Sequence, residues 1–373
     1  MNLLVLPSLF PQYEDDISGI FVMDYMKSVE KYFNISVLDM KIAGENKGLI
    51  VEDRGNIKVF HYAISNKTVN KTLKKFLYLK WFHDGYKLGT RMKNLDIIHA
   101  HGSTLCGTLG LLISRRLKVP IVITEHSGPF SKHMGSMKSR VLTKYSLESA
   151  DAVLTVSEDL KKQILNYSIL PKKIIVTYNP VDVDMFHLQG KSDPFSEKKI
   201  IYVGRLEDYK GIVRVVEAFR GIARVHPDWH LTIIGDGPEY ERVHRMINED
   251  RILLGRVIMK GQMRKESIAN EMRKSSFFVF PSEHETFGIV IAEAMATGLP
   301  VIVGNETAPK EFVDEEAGLL VSPRDTAAIE NAMEYLINNL AKYDPQRIRE
   351  KIVSRFGFDA FGQNLNAIYK EFI

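Results

Sequence analysis

Residues 277–303 read FFVFPSEHETFGIVIAEAMATGLPVIV. Four apolar residues, Phe277–Phe280, stop at Pro281. A polar stretch follows, and then a run rich in Ile, Val and Ala of helical length. Gly298 comes next, and Pro300–Val303 is β-rich again. Short continuous apolar runs suit strands covered on both faces. The segment therefore predicts strand, loop, helix, strand: one βαβ unit of a parallel sheet. Glu285 is expected just before the helix, with Thr286, Phe287 and Gly288 in its first turn.

The same rhythm extends in both directions. Strands are predicted at 3–6, 35–39, 57–60, 97–100, 121–124, 152–156 and 174–177. A second series is predicted at 199–203, 230–234, 257–259, 277–280, 300–303 and 318–321, and the chain closes in helices after Asp325. Segments such as 138–149 and 211–225 have helical length between them. Alternating strands and helices argue for an α/β protein with open parallel sheets. The series breaks at 179–197, a polar stretch holding Pro180, Gly190 and Pro194. This break predicts two Rossmann-like domains facing across a cleft, 1–185 and 198–355. Ligands of such sheets sit at the carboxyl ends of the strands.

Composition fits a soluble globular enzyme of two domains. The chain has 373 residues, 45% hydrophobic and 26% charged, with a net charge of +4. Cys106 is the single cysteine, so no internal disulfide forms, and a reducing, cytoplasmic setting is expected. The apolar start, MNLLVLPSLF, lacks a basic leader and reads as a buried strand. Between Lys67 and Lys93 lie eight Lys/Arg and one acid, Asp84, interleaved with Phe76, Leu77, Tyr78, Leu79, Trp81, Phe82 and Tyr86. Leu73, Phe76, Leu77 and Trp81 recur at helical spacing. Such a helix either packs on the core with a solvated lysine face or lies peripherally on an anionic membrane surface through 67–93.

Three segments can carry chemistry. In 203–211, VGRLEDYKG, a strand gives way to a helix. Free N–H groups there suit a phosphate, and Arg205 and Lys210 add charge beside Gly204; the plainer reading is two surface cations at a turn. In 234–239, IGDGPE, Gly235 begins a glycine fingerprint that Tyr240 interrupts, so the segment is a tight turn or a ligand loop. In 277–303, Glu285 would meet free N–H groups at a helix start. Glu293 lies in an otherwise apolar helix, where a carboxylate needs a partner. A ribose diol would serve, unless Glu293 is simply a surface residue.

Together these segments resemble the family-4, or group 1, retaining glycosyltransferases with GT-B fold, whose E-x₇-E region 285–293 matches. The resemblance extends to DIIHAHG at 96–102, VITEHSG at 122–128, TVSE at 155–158, NPVD at 179–182, GLLVSPRD at 318–325 and the closing helix 356–373. It implies that 356–373 packs back onto the N-terminal domain. It implies that Arg205 and Lys210 grip the donor diphosphate and that Glu293 binds the ribose. Glu285 would hold a sugar hydroxyl, helped by the N–H groups of Thr286, Phe287 and Gly288. Gly19 would lie by the diphosphate, His101 beside the transferred sugar, and His126 on the acceptor side. Where the family has paired glycines, this chain has Ser18-Gly19 and Thr307-Ala308.

The implied reaction moves a sugar from a nucleotide-diphosphate-sugar, expected to be a UDP-sugar, to a glycan or lipid-linked acceptor. Cell-surface polysaccharide or glycolipid synthesis is the expected setting. No cofactor, metal or nucleic acid is expected. Asp182-Val-Asp184 is a DxD in the linker rather than at a nucleotide-binding strand, and His99-x-His101 lacks an identifiable third zinc ligand. Two rival readings predict other behaviour: an epimerase or hydrolase would consume donor without acceptor, and a silent binding protein would lack Glu285, Lys210 or Arg205.

Overall fold

The computed structural model describes residues 1–11, 19–43, 48–65, 71–188 and 197–373. Ser18, Lys67 and residues 189–196 of the expected linker lie outside them, as do the side chains of Leu73, Phe76 and Leu77. The chain divides into two compact units. One comprises Met1–Pro180 with Phe361–Ile373, and the other Val181–Ala360.

The first unit is built from β1 (Asn2–Pro7), α1 (Ile20–Val29), β2 (Asn34–Ala43), β3 (Gly48–Arg54), β4 (Ile57–Ser65), α2 (Lys71–Arg91), β5 (Ile97–His101), α3 (Leu105–Leu117), β6 (Ile121–Glu125), α4 (Met137–Ser149), β7 (Ala152–Thr155), α5 (Glu158–Asn166) and β8 (Ile174–Val176). Its sheet runs β3-β4-β2-β1-β5-β6-β7-β8. Every neighbouring pair is parallel except β3 with β4. The order reverses direction between β1 and β5. The periodicity did not predict β3. It is an antiparallel edge strand whose Leu49, Ile50 and Val51 are exposed, so it carries no run of buried positions.

The second unit is built from β9 (Lys199–Val203), α6 (Ile212–Val225), β10 (His230–Ile234), α7 (Tyr240–Glu249), β11 (Val257–Met259), α8 (Lys265–Arg273), β12 (Phe277–Phe280), α9 (Ile289–Ala296), β13 (Val301–Gly304), β14 (Gly318–Val321), α10 (Thr326–Asn339) and α11 (Pro345–Phe356). Its sheet is all parallel, ordered β11-β10-β9-β12-β13-β14. This is the doubly wound dinucleotide-fold order, with its switch point between β9 and β12. These are the strands feeding the segments 203–211 and 281–288. The strands are buried nearly throughout, which is why they read as continuous apolar runs.

The chain's final helix, α12 (Phe358–Lys370), brings Phe361, Leu365 and Tyr369 into the first unit's core with Leu3, Val5, Tyr25, Val37, Ile97 and Val122. Gly362 permits this packing, since a Cβ there would come within 1.9 Å of the Ser28 carbonyl oxygen. Two architectures of this kind define the GT-B fold expected from the sequence.

In α2, Trp81 is buried, and Gly85 and Gly89 fit closely against Met40, Leu109 and Ile113. That face is core-packed. Leu79 is 68% exposed, and with Phe82, His83 and Tyr86 it borders a groove shared with Leu112, Arg115 and Arg116 of α3. Among the described residues, no helix is long and apolar enough to cross a membrane.

Candidate functional site

At the second unit's switch point, three loops lock together through glycines. Gly204 lies close against the Phe280 ring, where a Cβ would approach to 2.6 Å. Gly235, at φ +138°, would drive a Cβ to 1.9 Å from the Gly204 oxygen. Gly211, at φ +78°, starts α6 with no side-chain cap and sits against the Pro281 carbonyl. The Leu206 N–H donates to the Asp236 oxygen at 2.9 Å, and the Glu283 N–H to the Tyr209 oxygen at 2.8 Å. The loop 204–211 is thereby fixed to both neighbours.

Across this platform Lys210 Nζ lies 2.6 Å from Glu285 Oε1, with both side chains largely buried. The ammonium also lies over the Phe280 ring, 5.5 Å from its centroid. Arg205 stands mostly in solvent, paired with Glu207 at 2.7 Å. The helix α9 begins at Ile289, not at Thr286. Gly288 is its N-cap at φ +89°, and no side chain caps it. Thr286, Phe287 and Gly288 therefore form the approach to the helix rather than its first turn, because the left-handed conformation at Gly288 breaks the helical path.

Glu293 is 6% exposed, so it is not a surface residue. Its partner in the structure is Lys265, at 3.2 Å. Sequence reasoning missed this lysine, whose signal was faint: a basic residue opening α8. It also missed a clamp around Glu283, which pairs with Arg214 and Arg324, each at 2.8 Å. Arg214 donates as well to the Asp208 carbonyl at 3.2 Å, tying the two loops. Thr307, standing where a glycine was expected, accepts the Glu285 N–H on its Oγ1 at 3.0 Å.

In the first unit, β5 and β6 end in an imidazole cluster, with His99 and His101 buried and His126 half-buried. His99 and His101 alternate onto one face of β5, their rings 4.2 Å apart. His99 is held on both nitrogens, by the Tyr369 hydroxyl and the Thr124 hydroxyl, each at 2.6 Å. His101 Nδ1 lies 2.8 Å from His126 Nε2. Burial pushes all three down, His99 to about 3 and His126 to about 4, so the cluster is neutral at pH 7. Beside it, Glu125 is fully buried. Burial pushes its carboxyl up. His133, Ser103 and the Ser127 N–H outweigh that and bring it down to about 2.

Gly19 caps α1 in the left-handed conformation, and its Cα meets the Leu9 carbonyl too closely for a side chain. A cavity of about 490 Å³ opens at this unit's own switch point. Ser8, Leu9, Trp81, Gly102, Ser103 and His133 are among the residues lining it. Cys106 is buried at its wall, and burial pushes its thiol up to about 12, so it is a packing residue. Asp182 of the DxD accepts the Met185 N–H at 3.0 Å, a turn contact.

Residues 186–352 match the family described as glycosyl transferases group 1, and residues 51–185 match Glycosyltransferase Family 4. An uncharacterised glycosyltransferase of Methanocaldococcus jannaschii is 28% identical over 345 residues, covering 90% of this chain and 88% of the relative. A phosphatidylinositol N-acetylglucosaminyltransferase component from Arabidopsis thaliana is 25% identical over 282 residues, 75% of this chain and 62% of that protein. Sucrose-phosphate synthase from Thermosynechococcus elongatus superposes with a TM-score of 0.80 at 22% identity, covering 100% of this chain and 99% of that chain. The Anabaena protein HepE, solved with UDP, gives 0.73 at 18% identity with both chains fully covered. The chain belongs to the group 1, family-4 glycosyltransferases of GT-B fold, enzymes that transfer sugars from nucleotide-sugar donors.

Proposed function

We propose that this enzyme transfers a hexose with retention of configuration from a UDP-sugar to a glycan or lipid-linked acceptor, in cell-surface polysaccharide or glycolipid synthesis. The observation that carries the donor reading is the Lys210–Glu285 pair, 2.6 Å apart at the β9/β12 switch point. A cation for a diphosphate and an anion for a sugar hydroxyl stand side by side, next to the uncapped start of α9. Lys210, joined by Arg205, meets the charge that grows on the leaving diphosphate, the term that lowers the barrier most in such a transfer. With that charge met by side chains, no metal ion is required. Glu293 takes the ribose diol, and Glu285 a hydroxyl of the transferred sugar. The N–H groups of Thr286, Phe287 and Gly288 assist. Gly204 and Gly235 let the backbone approach the nucleotide, and Gly19 does the same at the diphosphate. His101 serves the transferred sugar and His126 the acceptor side.

UDP as the nucleotide is supported by the likeness to HepE, solved with UDP. A lipid-linked acceptor is supported by the relative whose name places it on phosphatidylinositol. The exposed Leu79 beside Arg115 and Arg116 supports peripheral contact with an anionic membrane at its cytoplasmic face. A thermal-shift panel of UDP, GDP, ADP and their sugars tests the reading. At one hundred times Kd, the cognate donor adds about 2.7 kcal/mol, or about 5–10 °C for a domain of this size. A flat response to every nucleotide would reject the donor site.

A further inference from the structure

We infer that Glu283, clasped between Arg214 and Arg324, is a positioning residue. It sets the spacing of Lys210 and Glu285 and acts on the reaction only through that pair, which ties its role to the donor reading above.

The need for such a residue follows from the sheet. β9 and β12 are neighbours, but they pair only Phe277 with Ile200 and Phe278 with Ile201. Their ladder ends there, and Lys210 and Glu285 ride on loops farther along. A cation and an anion on separate loops keep a set distance only when the loops are tied, because fixing two long side chains costs rotamer freedom.

Glu283 ties them at three points. Its N–H donates at 2.8 Å to the oxygen of Tyr209, the residue before Lys210. Its Oε1 accepts from Arg214 Nη2 at 2.8 Å, and the same Nη2 donates to the Asp208 oxygen at 3.2 Å. Its Oε2 accepts from Arg324 Nε at 2.9 Å and Nη2 at 2.8 Å. Loops following β9, β12 and β14 thus meet on one carboxylate. The side chains of Glu283 and Arg214 are each 16% exposed, so this half of the clasp is shielded and charge-assisted. Arg324 is 71% exposed. An exposed pair adds little stability by itself, so its part is to orient the carboxylate. On the far side, Thr307 Oγ1 holds the Glu285 N–H at 3.0 Å. Gly304 closes the packing, since a Cβ there would come within 2.3 Å of the Ser282 oxygen. Glu285 is therefore pinned from both directions, and Lys210 is held against it.

Turnover of the UDP-sugar that gives the largest thermal shift, with melts and UDP calorimetry on the same preparations, separates positioning from a role in the fold alone. Glu283→Ala is expected to lower kcat about 10–100-fold, the scale of a misplaced catalytic group, while affinity for UDP falls by less. Glu283→Gln, whose amide oxygen still accepts from one guanidinium, is expected to retain clearly more activity. Arg324→Ala removes an exposed partner; it is expected to fold normally and lose less activity than Glu283→Ala. In a Lys210→Ala background, Glu283→Ala is expected to change the residual turnover little, because the group it positions is gone. A purely structural role gives the same fold-loss in both backgrounds, and that result would overturn the inference. So would wild-type kcat in a folded Glu283→Ala. Where that variant does not fold, Glu283→Gln and Arg324→Ala carry the comparison, and wild-type kcat in both would overturn it. Normal turnover by Lys210→Ala alone would strike the donor reading instead, whereas an inactive Lys210→Ala beside a fully active Glu283→Ala strikes only the role of Glu283.

Discussion

Replacing Lys210 by alanine separates what the Lys210–Glu285 pair does for folding from what it does for chemistry. The two charged atoms are 2.6 Å apart, and the side chains keep only 15% and 11% of their exposure. Removing the ammonium leaves a largely buried carboxylate on a surface loop. A lost charge-assisted hydrogen bond costs about 1.5–3 kcal/mol, and local opening of the loop to water limits the loss to that range. The effect on the reaction is larger. Losing one group aimed at developing charge costs about 2.7–4 kcal/mol, or about 10²–10³ in kcat. Lys210→Ala should therefore be folded and nearly inactive. The double variant Lys210→Ala, Glu285→Gln removes the stranded charge, so it should recover part of the lost stability and none of the activity. Thermal melts and donor turnover measured on the same preparations test both halves. A folded Lys210→Ala enzyme within about threefold of wild-type kcat would refute the reasoning.

Other consequences follow from neighbouring contacts. Lys265→Met removes the cation beside the buried Glu293; it should lower the melting temperature and change nucleotide affinity together, measured by calorimetry with UDP. Gly235→Ala places a Cβ within 1.9 Å of the Gly204 oxygen, so nucleotide binding should fail even where circular dichroism stays native. The neutral imidazoles make the first unit acid-sensitive. His99 and His126 are depressed to about 3 and about 4, so the unfolded chain binds more protons below about pH 6.5. Stability then falls as pH drops through that window, by on the order of 2 kcal/mol per histidine at pH 5. Trp81 fluorescence in a Trp229→Phe background reports that unit, and a melt independent of pH between 7 and 5 would contradict the prediction. Leu79→Glu should abolish sedimentation with anionic liposomes while leaving turnover of soluble donor intact.

Much of the fold was legible because its strands are covered on both faces. Runs such as 200–203 and 277–280 are apolar without interruption, and buried parallel strands require that pattern. β3 escaped for the opposite reason: an edge strand open to solvent leaves no such signature. In the site, Glu285 and Lys210 could be singled out because a charged residue next to a strand end and a glycine is conspicuous in one dimension. Their contact, 75 positions apart in the chain, could not be. Lys265 and Arg214 were invisible for the same reason, since each acts through a partner that the topology, not the local sequence, brings near. Glu293 was readable as a buried charge needing company, and the fold adds Lys265 beside it, a partner the local sequence did not disclose.

The central claim is that the donor lies at the second unit's switch point. Hydrogen–deuterium exchange, with and without the nucleotide-sugar found by the thermal-shift panel, tests it most directly. The account predicts added protection concentrated in residues 204–211, 235–239 and 281–293, and its loss in Lys210→Ala. Protection confined to other segments, or none at saturating donor, would contradict it.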